Sequence, residues 1–243
     1  MPEAWLVWPA ALLLAGLAFF LSASAGLGGS LILVPGLALL LGVKQGVALA
    51  TLLLAWNNVA KVVAYRRTIP WRPVLLVLAL LSLGAAVGAR LLVAAEERAV
   101  QLAVLGALLA SFLLERWNLS GLRRAAAPAL ALAGGLASGF SGTTGPLKGL
   151  ALRTLGLDRL HFPGAASLVS LAGDATKLAV FVGASLLDRA ALAVLAAAGP
   201  LMVVGTAMGY TLNTRIGERA FTVLFWAVIG GYAARLVFRF AAL

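Results

Sequence analysis

Apolar residues in this chain run in long unbroken stretches, without the spaced rhythm that gives a helix one wet face. About 20 consecutive apolar residues make a helix that crosses a bilayer core. Stretches of roughly that kind lie at 5–25, 47–65, 71–94 and 99–117, and again at 126–140, 162–183, 188–212 and 218–241. Two shorter apolar pieces, roughly 31–43 and 146–157, follow directly on abrupt breaks: Gly26-Leu27-Gly28-Gly29-Ser30, and Gly142-Thr143-Thr144-Gly145-Pro146. A helix interrupted at membrane depth is tolerated only where protein or a water-filled cavity surrounds the freed backbone groups. The pattern predicts an all-α polytopic membrane protein with half-helices after its Gly-rich breaks.

The two breaks stand at corresponding places in the two halves of the chain, and other positions follow suit. Gly28 and Gly42 recur 114 residues on as Gly142 and Gly156, and Asn58-x-x-Lys61 recurs 116 residues on as Asp174-x-x-Lys177. Gly84-x-x-x-Gly88 and Glu97-Arg98-Ala99 recur 121 residues on as Gly205-x-x-x-Gly209 and Glu218-Arg219-Ala220. The spacing grows in steps, as small insertions produce. Residues 1–120 and 121–243 are therefore expected to be repeats within one membrane domain, each of about five helical elements. The two elements flanking a break contribute an even number of crossings, whether they form a re-entrant hairpin or two full spans. Three more make each half odd, so the second half enters the membrane from the opposite side: inverted-topology repeats, common in secondary transporters.

Composition agrees with the pattern. Hydrophobic residues make up 63% of the chain and charged ones only 11%, against about 45–50% and about 25% for a soluble domain. The net charge of +11 suggests nucleic acid until the arginines are located. Arg66, Arg67, Arg72, Arg116, Arg123, Arg124, Arg153, Arg159, Arg215 and Arg219 fall in connections on one predicted side, a bias that orients helices in a bilayer. Lys44, Arg90, Arg98, Arg189, Arg235 and Arg239 fall on the other, beside Glu96 and Glu97. The Arg-rich side is expected to be cytoplasmic and both termini extracytoplasmic, with the first helix retained. Trp5, Trp8, Trp71 and Trp117 lie near predicted helix ends, where an aromatic belt belongs.

The chemistry concentrates in few residues. A half-helix leaves its first N–H groups unpaired and partly positive, which suits an anion. Gly28, Gly29 and Ser30 offer such a start in the first half, and Gly142, Thr143, Thr144 and Gly145 in the second. The plainer reading of the glycines, tight packing or a kink, stays open beside this one. Asn57, Asn58, Lys61, Asp174 and Lys177 lie inside predicted spans, where ionisable groups are costly and face a cavity or a partner. A spacing of three puts Asn58 with Lys61, and Asp174 with Lys177, on one helix face. Asp174 neutralises Lys177, while neutral Asn58 leaves Lys61 uncompensated; Lys61 either serves an anion or snorkels to an interface. Lys148 reaches either an anion or headgroups, and His161 reads more readily as a packing residue than as a ligand. No nucleophile–base pair, paired carboxylates or metal-ligand spacing occurs, so neither an enzyme nor a cofactor is expected.

These residues resemble a family. Gly26-Leu27-Gly28-Gly29-Ser30 to Pro35, the Asn58-x-x-Lys61 helix ending in Tyr65-Arg66, Gly142-Thr143-Thr144-Gly145-Pro146, Asp174-x-x-Lys177-x-x-x-Phe181 and Gly205-x-x-x-Gly209 are together similar to the TauE/SafE sulfite-exporter-type permeases. The resemblance covers essentially the whole chain. It implies a bacterial-type inner-membrane transporter for sulfite, thiosulfate, sulfoacetate or related sulfonates. Ser30 in place of a third glycine, and threonines in the second break, depart from the pattern and bear on which anion fits.

The expected function is therefore secondary transport, as an exporter, of a small sulfur-containing or organic anion by alternating access around a midplane site. The substrate-binding residues would be Gly28, Gly29, Ser30, Asn57, Asn58, Lys61, Gly142, Thr143, Thr144, Gly145 and Lys177, with Asp174 for coupling or charge balance. Expected partners are the anionic substrate and membrane lipid, not nucleic acid. Coupling to a proton or sodium and assembly as a homodimer are compatible with the sequence. A passive anion channel and a non-transporting scaffold are the alternatives.

Overall fold

Each long apolar run among the described residues becomes a helix, because a helix satisfies every backbone polar group within its own segment. The computed structural model describes residues 4–25, 29–116, 124–143 and 145–211, with 223, 226–227, 230–231 and 234. Among these the chain forms nine α-helices and no strand: α1 (Ala4–Ala25), α2 (Ser30–Leu41), α3 (Val43–Tyr65), α4 (Trp71–Ala94), α5 (Glu97–Arg116), α6 (Ala127–Ser141), α7 (Gly145–Arg153), α8 (Phe162–Gly183) and α9 (Arg189–Thr211). Among the described residues three helical stretches are long and apolar enough to cross a membrane: α3 with its 3-10 extension to Thr68, α4 and α8. The run expected at 218–241 lies largely outside the described residues.

Both breaks fall where the glycines predict. Gly142 ends α6 in the left-handed region at φ 78°, its N–H donating to the Ser138 carbonyl at 2.9 Å, and α7 restarts at Gly145. The short helices also end at glycines: Gly42 closes α2 at φ 88°, and Gly156 follows α7 at φ 69°. Two boundaries differ from the sequence expectation. Helix α3 begins at Val43, because Gly42 alone makes the turn and Gly46 packs so closely on α2 that a Cβ there would sit 2.4 Å from the Ala38 nitrogen. Helix α7 stops at Arg153, ahead of the end of the apolar run, because hydrogen-bonded turns from Leu155 and Gly156 to the carbonyls of Leu152 and Arg153 tighten its end.

Packing divides the chain into two units, Met1–Leu54 with Ser185–Leu243, and Ala55–Ala184. In the first, α1 packs on α9 and α2. Ala11, Ala15, Ala18 and Phe19 form its buried stripe, at helical spacing, while Leu13 and Leu17 face outward. In the second unit α4 packs on α6 and α8, and α7 lies against α6. Its core gathers Val74, Val77, Leu81, Ala127, Ala131, Ala151, Leu152, Ala165 and Val169. The outward face of α4 carries Leu75, Leu76, Leu83, Val87 and Leu91. Inner and outer faces of this helix thus differ in side-chain size and not in polarity, as lipid outside demands.

The α4–α6 contact is a glycine seam. A Cβ on Gly84 would stand 2.3 Å from the Leu132 carbonyl oxygen, and one on Gly88 2.3 Å from that of Leu136. Reciprocally, a Cβ on Gly135 would meet the Leu81 oxygen at 2.2 Å, and one on Gly139 the Ala85 oxygen at 2.4 Å. Gly84-x-x-x-Gly88 thus serves close helix approach, and its partner is Gly135-x-x-x-Gly139, which the sequence reading passed over. Gly139→Ala should therefore lower stability by about 1–3 kcal/mol, since backbone atoms cannot yield. Gly106→Ala on α5, with nothing within 4 Å of the new Cβ, should be neutral. Thermal unfolding in detergent compares the two, and equal melting temperatures would deny the seam its role.

Candidate functional site

The polar residues of the second unit converge on α8. Asp174 and Lys177 are i,i+3 neighbours on that helix, and both are buried, at 6% and 1% exposure. Lys177 Nζ stands 2.8 Å from Asp174 Oδ1. The other carboxylate oxygen, Oδ2, accepts a hydrogen bond from Asn58 Nδ2 of α3 at 2.8 Å. Lys177 Nζ also donates to Ser138 Oγ of α6 at 3.0 Å. Asn58, Asp174, Lys177 and Ser138 thus form one continuous polar chain across three helices. Ser138 contributes twice, because its carbonyl accepts the N–H of Gly142 at the break.

Two further lysines approach this chain without joining it. Lys148, in the first turns of α7, donates to Ser170 Oγ on α8. Ser170 gives its own proton to the Ala166 carbonyl at 2.7 Å, so only its lone pairs face the amine. Lys148 lies within Coulombic range of Asp174, Lys61 and Lys177, and Lys61 within range of Asp174. Half-buried Lys61 has no hydrogen-bond or ion-pair partner among the described residues. Other hydroxyls of these helices are turned inward on their own backbones, as with Ser141 to Ala137, Ser167 to Pro163 and Thr176 to Ala172. With its amines protonated the cluster sets three positive charges against one negative, an arrangement that attracts an anion.

The structure brings Asn58, Lys61, Asp174 and Lys177 together, with Asn57 half-buried on α3. Gly142 and Thr143 are buried at the break, and Gly145 opens α7. Gly29 and Ser30 belong to the other unit, where Gly29 is buried at the start of α2 and its carbonyl accepts the Leu33 N–H at 3.0 Å. Gly28 and Thr144 lie outside the described residues. Three members escaped the sequence reading or were left open by it: Ser138, Ser170 and the placement of Lys148. The one available signal was that Ser138 stands four residues before Gly142, where a carbonyl must cap the helix end.

His161 is not a core residue. Its ring is 42% exposed, and Nδ1 lies 2.7 Å from Asp158 Oδ1. The same carboxylate oxygen accepts the backbone N–H groups of His161 at 2.8 Å and Leu160 at 3.0 Å. These bonds, the His161 N–H first, hold the Asp158 carboxyl below its ordinary range. The device tethers the entry to α8 outside the cluster.

The family described as Sulfite exporter TauE/SafE matches residues 11–236. No individual curated protein matches the chain, and neither does any solved structure.

Asp174 carries the chain of bonds, so its loss should be felt as stability. Asp174→Asn removes the charge facing Lys177, and breaking a buried pair from one side costs about 3–5 kcal/mol. Asn58→Leu leaves Oδ2 without its donor, at about 1–3 kcal/mol. Both variants should melt lower than the parent, Asp174→Asn by more, while Asp174→Asn binds a monovalent anion at least as tightly. Unchanged melting and unchanged affinity for Asp174→Asn would remove it from both pair and site.

Proposed function

The chain belongs to the sulfite exporter TauE/SafE family of membrane transporters, and from that premise we propose that it exports a small sulfur-containing or organic anion such as sulfite, thiosulfate or a sulfonate. The family is one of transporters and not of enzymes, and apolar helices embed the chain in a membrane. The observation that carries the proposal is the buried cluster on α8. Asp174 is already claimed on both oxygens, and Lys61 and Lys148 lack a carboxylate of their own. Uncompensated amines at membrane depth are costly, and a bound anion relieves that cost. Lys61 and Lys177 hold the substrate in this reading, with the backbone of the break at Gly142 to Gly145 beside them. Asp174 balances charge and is the candidate carrier of a coupling proton or sodium ion.

Transport follows alternating access between two inverted repeats, residues 1–120 and 121–243. Three features support the repeat. Asn58 and Asp174, matched in sequence, hydrogen-bond to each other, as counterparts beside a two-fold axis do. Gly42 and Gly156, also matched, both take positive φ after a short helix. Helix α4 packs on α6 in one unit and α9 on α1 in the other, and these pairs are each other's counterparts. The exporter direction, an inner-membrane location and extracytoplasmic termini complete the proposal, the last from the arginine bias.

Lys61→Ala and Lys177→Ala should each weaken anion binding by about tenfold or more, whereas Arg239→Ala, near the end of the chain, should not. Lys61→Ala is the cleaner arm, since the Asp174 pair survives it. Equal affinities for all three variants in a titration of purified protein with sulfite and sulfoacetate would remove the lysines from the site. In proteoliposomes the parent should show saturable flux with counter-transport of labelled substrate; conductance far above carrier turnover would make it a channel. Reporters active only outside the cytoplasm, fused at either terminus, should be active; silence at both would reverse the orientation.

A further inference from the structure

Resting on the anion site just described, we propose that Lys148 is a specificity-determining residue that tunes the site to doubly charged anions. The charges divide into two groups. Asp174 and Lys177 neutralise one another at 2.8 Å, with Asn58 donating to the carboxylate and Ser138 accepting from the amine, which keeps a third N–H. Lys61 and Lys148 are left over. Lys61 has no polar partner among the described residues, and Lys148 has a neutral one, Ser170, whose proton is already given to Ala166. A monoanion would leave one of these amines uncompensated, whereas a dianion brings the cluster to neutrality, the state a low-dielectric interior favours.

Lys148 is also the member that the repeat does not require. The spacing of 114 residues that matches Gly28 with Gly142 and Gly42 with Gly156 sets Val34 opposite Lys148. The first half forms its short helix with an apolar residue there, so the amine on α7 is an addition and not part of the shared frame. A lysine serving only lipid headgroups would extend away from the cluster. This one reaches across to the middle of α8, one turn before Asp174.

The test uses two ligands of fixed charge, methanesulfonate and methanedisulfonate, titrated calorimetrically into the purified full chain at pH 7. The parent should bind the disulfonate more tightly; equal affinities overturn the proposal without any variant. Coulomb energy scales with ligand charge, so Lys148→Met should cost the dianion the square of what it costs the monoanion, for example about 100-fold against about 10-fold. Lys148→Arg and Ser170→Ala keep the charge and should keep the preference. An equal loss for both ligands in Lys148→Met would overturn the charge-selecting role. No loss for either, with Lys61→Met impairing both, would overturn the proposal while leaving the anion site in place. No loss in Lys61→Met and Lys148→Met alike would overturn the site itself.

Discussion

A carboxylate buried among membrane helices is stable only if both oxygens are occupied, and Asp174 meets that condition with one partner on its own helix and one on another. The rest of the cluster follows from this requirement. Lys177 must stay within reach of Oδ1, which leaves its other protons free to find Ser138 on α6. Asn58 must donate to Oδ2, which fixes the face that the second half of α3 turns to α8. Ser138 then links the ion pair to the interruption after α6, because the residue that receives Lys177 also caps the helix end. Asp174 is thus linked to the break by three contacts through two residues, Lys177 and Ser138.

The same requirement explains why the site is cationic. Asn58 and Lys177 engage one oxygen each of Asp174, and neither Lys61 nor Lys148 bonds to it. Their charges act at a distance through the surrounding low dielectric. The cluster therefore combines a half bonded within itself with two amines that have no carboxylate partner among the described residues.

Much of this was legible in the sequence because membrane helices leave a coarse and reliable trace. Apolar runs located α1 to α9, and paired glycines located both interruptions. Helix periodicity set Lys61 beside Asn58 and Lys177 beside Asp174. What stayed hidden was of two kinds. The start of α3 at Val43 was masked by Lys44 and Gln45, whose polarity reads as a loop although they sit in a first helical turn. The cross-helix partners were masked because periodicity speaks only within one helix. The sequence paired residue 58 with 61 and 174 with 177, while the bond that ties the helices together runs from 58 to 174. Lys148 could not be assigned from its position alone, since a lysine stem spans the distance either to headgroups or to Ser170.

The seam between α4 and α6 has a dynamic consequence. Gly84, Gly88, Gly135 and Gly139 bring main chain against main chain, a spacing at which Cα–H groups reach carbonyl oxygens directly. Such a contact has no rotamers to exchange, so it cannot repack in a second arrangement as an interface of leucines can. The two helices are bound to turn and tilt as one lever. Any rearrangement within this unit must then be taken up where side chains mediate the contact, at α7 and along α8, which is where the charged residues are.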